Sequence, residues 1–351
     1  MPSFEEVRAA FPVLEHYAYL NAGTNGPLPR VAAEAMIAEQ LVDVARGRGG
    51  EPYFSRALGM RDEVRAKLAG LLGVEPTQVA LTRSTTDGCN IVLAGLDLGL
   101  DDEIVTTDVE HFGLIGPLHA SGARIVTAPE NGALDAVTDR TRLIAISHVS
   151  WVTGNSLDPA RIKAETGLPV LVDGAQSAGV IPVDAGAVDY YALSCQKWLC
   201  GPDVTGALVV ARPEGLPVAL PSYFAQSEHQ PDGSYVAREG AERFDSGWIG
   251  TPSLEGLSKA LDVAPEWRFE RAAEMAAKCR AALAERFEVI TKPKHAGLVT
   301  FRPRSDPTEL VEKLRGEGVI VRELPGRNLI RVSCGYWTSD DDLERLLGGL
   351  A

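Results

Sequence analysis

Apolar and polar positions along this chain fall into two alternating patterns. Short, continuous, β-branched apolar runs recur: VALTR at 79–83, EIVTT at 103–107, RIVTA at 124–128, RLIAIS at 142–147, PVLVD at 169–173, YYALS at 190–194 and GALVVA at 206–211. Apolarity without alternation predicts strands buried on both faces. Helical patterns lie between the runs, which predicts an α/β fold with a mostly parallel seven-stranded sheet covered on each side. The last two runs are close in sequence, which leaves room for one antiparallel strand.

The character changes after Ala211. Residues 213–250 are rich in Pro, Gly and polar residues (PEGLP, QPDGS, FDSGWIGTP), which predicts a long functional loop region. A helical pattern runs from about Ser253 to Phe287, and Pro265 predicts a break or kink in it. The last stretch reads as a small α+β domain. It holds a strand (LVTFRP), a helix (PTELVEKLRGEG), two strands (VIVREL and NLIRVSC) and a closing helix (SDDDLERLLGGL). Thr338, Ser339 and three aspartates suit the start of that closing helix. The division expected is a large domain over 15–255 and a small domain over 256–351, joined by the segment 1–14.

Composition narrows the class. The chain has 351 residues and a net charge of −14, which disfavours nucleic acid and anionic membrane as partners. The first twenty residues lack the basic start and apolar core of a secretory signal. No run approaches the ~18 apolar residues of a membrane span. The five cysteines (89, 195, 200, 279, 334) are scattered and odd in number. That predicts a reducing cytoplasm rather than a disulfide framework. Cys195 and Cys200 have no second pair to complete a metal centre, so no metal is expected.

Asp173 ends one apolar run and Lys197 lies just past the next. An acid and a lysine at neighbouring strand ends suit pyridoxal phosphate (PLP). The lysine can hold its aldehyde as a Schiff base, and the aspartate can keep its ring nitrogen protonated. The surrounding LPVLVDGAQSAG (168–179) also supplies Gln176, within reach of the ring's phenolic oxygen. Read alone, Asp173 is equally a turn residue before Gly174. Lys197 sits beside Trp198 and Leu199, a setting that lowers an ammonium pKa and makes a usable nucleophile and base.

Three further segments carry candidate chemistry. Ser84, Thr85 and Thr86 start a helix after a strand, which offers either an ordinary N-cap or a phosphate cradle. His111, in EHFG (110–113), lies near the carboxyl edge of the sheet. There it can stack on a flat ring or serve a structural role. Arg331 stands within an apolar strand and needs an anionic partner, either a substrate carboxylate or an internal acid. No GxGxxG or GxxxxGK[ST] follows a strand, which removes support for dinucleotide and Walker-type sites.

Together these segments resemble the class V aminotransferase family of PLP fold type I. The likeness is nearest to its cystine/cysteine C–S lyase branch, related to the cysteine desulfurases. It runs from YLNAGTNGPLP (19–29) to LIRVSCGYWTS (329–339), through TDGCNI (86–91), SHVSWVTG (147–154), DGAQSAG (173–179) and QKWLCGPDVTG (196–206). The resemblance implies that Lys197 carries the Schiff base, Asp173 pairs with the ring nitrogen and Gln176 meets the ring oxygen. It implies that His111 stacks on the ring. Thr85, Thr86, Ser194 and Gln196 would hold the phosphate, and Arg331 the substrate carboxylate. It also implies a homodimer, with RFDSGWIGTP (243–252) as the loop that reaches the partner's phosphate.

Departures separate the branches. Desulfurases carry a nucleophilic loop cysteine before the carboxylate arginine, and VIVRELPGRNLIR (319–331) has none. Trp151 stands where desulfurases have asparagine, Gln196 where a histidine is common, and Trp248 where many relatives have threonine. The resulting expectation is PLP-dependent β-elimination on cysteine, cystine or a related sulfur amino acid. Its products would be pyruvate, ammonia and a thiol or persulfide. The alternatives are an aminotransferase, a desulfurase-like transferase and an amino-acid epimerase. Arg30, Tyr223, Arg243 and Arg322 stand open between pocket and structural roles.

Overall fold

In the computed structural model, which describes residues 2–351, all seven apolar runs form one sheet. Its order across is Val79–Thr82, Gly206–Val210, Tyr190–Ser194, Val170–Asp173, Thr141–Ser147, Glu103–Thr107 and Arg124–Ala128. Gly206–Val210 runs antiparallel to both neighbours, and the remaining pairings are parallel. Side chains on both faces are buried, as continuous apolarity requires. Val64, Leu68 and Leu72 of helix Gly50–Leu72 pack on one face. Val92 of helix Thr85–Leu96 and Leu114 and Leu118 of helix Phe112–Ala120 pack on the other.

Local chemistry sets the helix ends. The Ser84 hydroxyl accepts from Asp87 N and caps Thr85–Leu96. Ser339 and Asp342 form a reciprocal capping box at Asp340–Gly349. The long pattern around Pro265 resolves into two helices, Thr251–Val263 and Arg268–Ala284, because proline there cannot continue the hydrogen-bond ladder. The 213–250 region is more ordered than its composition suggests. It contains short 3-10 turns and an antiparallel hairpin of Gln226–His229 with Tyr235–Ala237.

The C-terminal part forms a four-stranded antiparallel sheet in the order Glu288–Val289, Leu298–Arg302, Leu329–Ser333, Arg322–Leu324. VIVREL, expected as one strand, divides. Val319–Ile320 pairs in parallel with Ala18–Tyr19, while Arg322–Leu324 pairs with Leu329–Ser333. The chain's opening strand is therefore stitched to its C-terminal part. No described helix is long and apolar enough to cross a membrane, and no described cluster of side chains suits a metal.

One buried ionic cluster ties the 243–252 segment to the sheet. Asp245, 2 % exposed, accepts from Arg61 (2.8 Å), Arg65 (3.0 Å) and the Leu81 amide (2.7 Å). Removing one member of a buried cluster strands the other charges. Asp245→Ala is therefore expected to cost about 3–5 kcal/mol of stability. Chemical denaturation of the purified protein measures this, and a loss below about 1 kcal/mol would show that the cluster is not a structural tie.

Candidate active site

The carboxyl ends of the parallel strands meet along one edge of the sheet. Ser84–Thr86, Glu110–His111, Ser147–Trp151, Asp173–Gln176 and Ser194–Lys197 all follow that edge, which is where open α/β sheets gather ligands.

Asp173 is the last residue of its strand and is buried. Its Oδ1 accepts from Ala175 N at 2.9 Å, and its other oxygen has no hydrogen-bond partner in the protein. Burial raises its pKa, and Lys197 opposes that shift. The turn after it admits only glycine, because a Cβ on Gly174 would lie 2.1 Å from the Tyr191 ring. Lys197 has its pKa pushed down to about 8 by desolvation. Asp173 partly offsets the shift, and Arg331 and Arg322 add to it. Asp173 and Lys197 thus shift each other through space, yet they form no ion pair within 4.0 Å.

His111 caps helix Phe112–Ala120. Its Nδ1 accepts from Gly113 N at 3.0 Å. Its pKa is lowered to about 4 by burial and by the nearby Lys197, Arg331 and Arg322. The imidazole is therefore neutral at pH 7, with its proton on Nε2. A Cβ on Gly113 would lie 2.7 Å from Thr86 Oγ1 and 3.0 Å from His111 Nδ1, so Thr86 and His111 are close neighbours. Ser194 Oγ accepts from Thr85 N (2.9 Å) and bonds to Thr85 Oγ1 (2.8 Å), locking the helix start to the strand that leads to Lys197. The Gln196 backbone carbonyl accepts from Gly26 N at 2.7 Å, and its buried side-chain oxygen has no partner. Gln176 is held at both ends of its amide, donating to Gly23 O (2.8 Å) and accepting from Trp198 Nε1 (3.0 Å).

Arg331 reaches this edge from the smaller sheet. It is 2 % exposed, and its Nη1 donates to Trp151 O at 3.1 Å. Among the described residues, its Nε has no partner and no carboxylate lies within ion-pair distance. Burial and, secondarily, the nearby Arg322 together lower its pKa to about 9. Arg322, its register partner on the next strand, donates to Thr24 Oγ1 at 3.0 Å. The internal salt bridge left open for Arg331 is absent. Trp151 joins the two halves: its carbonyl holds Arg331, and its indole meets His111 edge-to-face at 4.9 Å.

Other candidates lie elsewhere. Tyr223 is exposed, and Arg243 Nε donates to Gly240 O at 3.0 Å. Trp248 is exposed and stacks on Tyr53 at 6.2 Å. Sequence reasoning did not single out Thr24, Glu110 or the Trp151 carbonyl. Thr24 and Glu110 sit inside motifs already noted, but a backbone acceptor leaves no mark in a sequence.

The architecture is PLP fold type I. It superposes on a structure of the cystine C–S lyase C-DES with its reaction product cysteine persulfide at a TM-score of 0.90 and 29% identity, over 97% of this chain and 98% of that one. A C-DES variant with glycine covalently linked to its PLP cofactor gives 0.91 and 29%, over 100% of this chain and 99% of that one. The sequence profile described as Aminotransferase class-V matches residues 18–346. The chain belongs to that family. A probable cysteine desulfurase of Methanothermobacter thermautotrophicus is 31% identical over 74% of this chain and 69% of its own length. An isopenicillin N epimerase of Streptomyces clavuligerus is 27% identical over 99% of this chain and 97% of its own.

The lowered Lys197 pKa has a direct test. In cofactor-free protein, peptide-resolved labelling by an amine reagent is expected to give a midpoint near 8 for Lys197. Asp173→Asn should move it lower, because the carboxylate is what favours the ammonium. A midpoint at the ordinary lysine value of about 10.4 would contradict the desolvated environment.

Proposed function

We propose that this chain is a PLP-dependent C–S lyase that carries out β-elimination on cysteine, cystine or a related sulfur amino acid. Its products are pyruvate, ammonia and a thiol or persulfide. The observation that carries the reading is Arg331, a buried guanidinium without an acid partner, facing the same edge as Lys197 and His111. A planar cation so placed suits a substrate α-carboxylate.

The residues fit the cofactor. Asp173 keeps one oxygen uncommitted for the ring nitrogen. Lys197 would be the covalent anchor, and neutral His111 would stack on the ring. Thr85, Thr86 and Ser194 gather at a helix N-terminus suited to the phosphate, and Gln196 would join them in holding it. Gln176, held between Gly23 and Trp198, would meet the ring oxygen. Bound PLP supplies the electron sink for Cα–H cleavage.

The chain's own residues do the rest. Lys197 Nζ, with a pKa near 8, is suited to take the Cα proton at neutral pH. Arg331 fixes the carboxylate and so turns the Cα–H bond toward Lys197. Arg322 beside it gives two adjacent guanidinium groups, which favours a substrate with two carboxylates, such as cystine, over cysteine. All five cysteines are buried, and the 319–331 stretch contains none. Both facts disfavour a thiol nucleophile of the desulfurase kind.

A homodimer suits the surface. Ile37, Leu41 and Val44 form an exposed apolar stripe on helix Arg30–Arg46, more than a monomer helix ordinarily shows water. Trp248, also exposed, would face the partner from the 243–252 loop. Five buried thiols without a disulfide suit a reducing cytoplasm.

Incubation with cystine or cysteine alone is expected to yield pyruvate and ammonia. Strict dependence on an added keto acid would indicate a transferase, and recovery of the opposite enantiomer without pyruvate an epimerase. Arg331→Ala should raise KM for these substrates by tens- to thousands-fold, the ~2–5 kcal/mol of a truncated buried charge contact. An unchanged KM would remove Arg331 from the substrate site. Lys197→Ala should abolish the borohydride-reducible attachment of cofactor, and undiminished attachment would reassign the anchor.

A further inference from the structure

Glu110 is a buried carboxyl group with no cation beside it. It is 6 % exposed, and every hydrogen bond it makes is to an uncharged group. Oε1 is bonded to Thr107 Oγ1 at 2.6 Å, and Oε2 accepts from the amide and hydroxyl of Ser147. Ser147 and Asp173 are register partners on adjacent parallel strands. Their side chains therefore leave the same face of the sheet, about 5 Å apart at the backbone. The groups facing Glu110 are Asp173 from the neighbouring strand and the Cys89 thiol from the helix above, itself held protonated by burial. The Thr107 and Ser147 hydroxyls complete its surroundings. Lys197 lies beyond Asp173.

Two buried carboxyl groups on this edge repel when both are ionised, which favours a proton on one of them. Burial raises the Glu110 pKa to about 7, and Asp173 adds to the rise. Both protonation states are hydrogen-bonded. The Thr107 hydroxyl donates to the ionised carboxylate and, rotated, accepts from the acid. Glu110 is thus built to change charge without breaking its surroundings.

We infer that Glu110 is a positioning residue that acts through Asp173, releasing its proton to solvent when a cationic ring nitrogen docks on Asp173. This rests on the PLP reading above. Glu110 touches neither cofactor nor substrate. Its negative charge, once formed, helps Asp173 keep the ring nitrogen protonated. In the absence of that cation the proton stays on Glu110, so cofactor affinity gains from rising pH.

Glu110→Gln keeps the shape and removes the charge. PLP affinity of the cofactor-free protein, followed by absorbance between pH 5.5 and 8.5, separates the possibilities. The ratio of wild-type to E110Q affinity is expected to rise about fivefold from pH 6 to pH 8, which corresponds to release of about a third of a proton on average over that range. With a PLP analogue carrying carbon in place of the ring nitrogen, that ratio should stay flat. A flat ratio with PLP, or the same rise with the analogue, would overturn the role of Glu110. Failure of wild-type protein to bind PLP through Lys197 would instead sink the parent reading.

Stability of the cofactor-free protein gives a second readout. A carboxyl raised from 4.5 to about 7 contributes stability that is full below 4.5 and lost as pH rises through 7. Thermal unfolding of E110Q should lack that decline, and an identical pH profile would count against a titrating Glu110. Should E110Q not fold, Ser147→Ala, which deletes a donor to the ionised form, should move the PLP linkage to higher pH. An unmoved linkage would again overturn the inference.

Discussion

Two opposite charges, Asp173, which is buried, and Lys197, which is half-buried, are held out of contact with each other. Each is costly to bury, and neither is neutralised by the other at ion-pair distance. The surrounding structure is what keeps this arrangement from collapsing. Asp173 is fixed by the Ala175 amide and by a turn that only Gly174 can make. Lys197 follows a strand locked to the Thr85 helix start through Ser194. The cost of keeping such groups apart and desolvated is the usual origin of reactive side chains, and here it yields an amine poised near neutral pH.

The site belongs to both sheets. Thr24 and Gly23 come from the opening segment, which is itself stitched to the C-terminal part by Ala18–Tyr19 and Val319–Ile320. Gly23 O receives Gln176 of the large sheet, while Thr24 Oγ1 receives Arg322 of the small one. The Trp151 loop crosses the same boundary from the other side. Thr291 donates to the Thr153 carbonyl, and Lys292 N donates to Asn155 Oδ1 at 2.8 Å. Three segments distant in sequence therefore converge at this boundary, with Arg331 and Arg322 on one side and Lys197 on the other.

Much of the large sheet was legible because burial on both faces writes a continuous apolar run, and each of the seven runs became a strand. Helices Arg30–Arg46 and Gly50–Leu72 left a weaker mark. In the first, Glu39 and Asp43 are buried against Arg56 while Ile37, Leu41 and Val44 face outward, so its apolar face does not point to the core. Asp173 and Lys197 were legible from their places at strand ends. Arg331 was legible as a residue in need of a partner, but whether that partner was internal depended on the fold. Glu110 was overlooked because an acid before a histidine resembles an ordinary loop acid. Only the register of Ser147 with Asp173 reveals its position.

The one antiparallel strand of the seven-stranded sheet, Gly206–Val210, has a consequence for the order in which the molecule assembles. Among the described residues, Val79–Thr82 has its only sheet partner there, so the strand that leads to the helix start at Ser84 cannot join the sheet until the chain has been made past residue 210. Pairings this distant in sequence form slowly. Ala18–Tyr19 waits longer still, until residues 319–320 exist. On the ribosome the parallel strands between 103 and 194 can gather first, and the catalytic edge is completed from both flanks only near the end of synthesis. A nascent chain would thus acquire Asp173 and Lys197 well before the segments that flank them are in place.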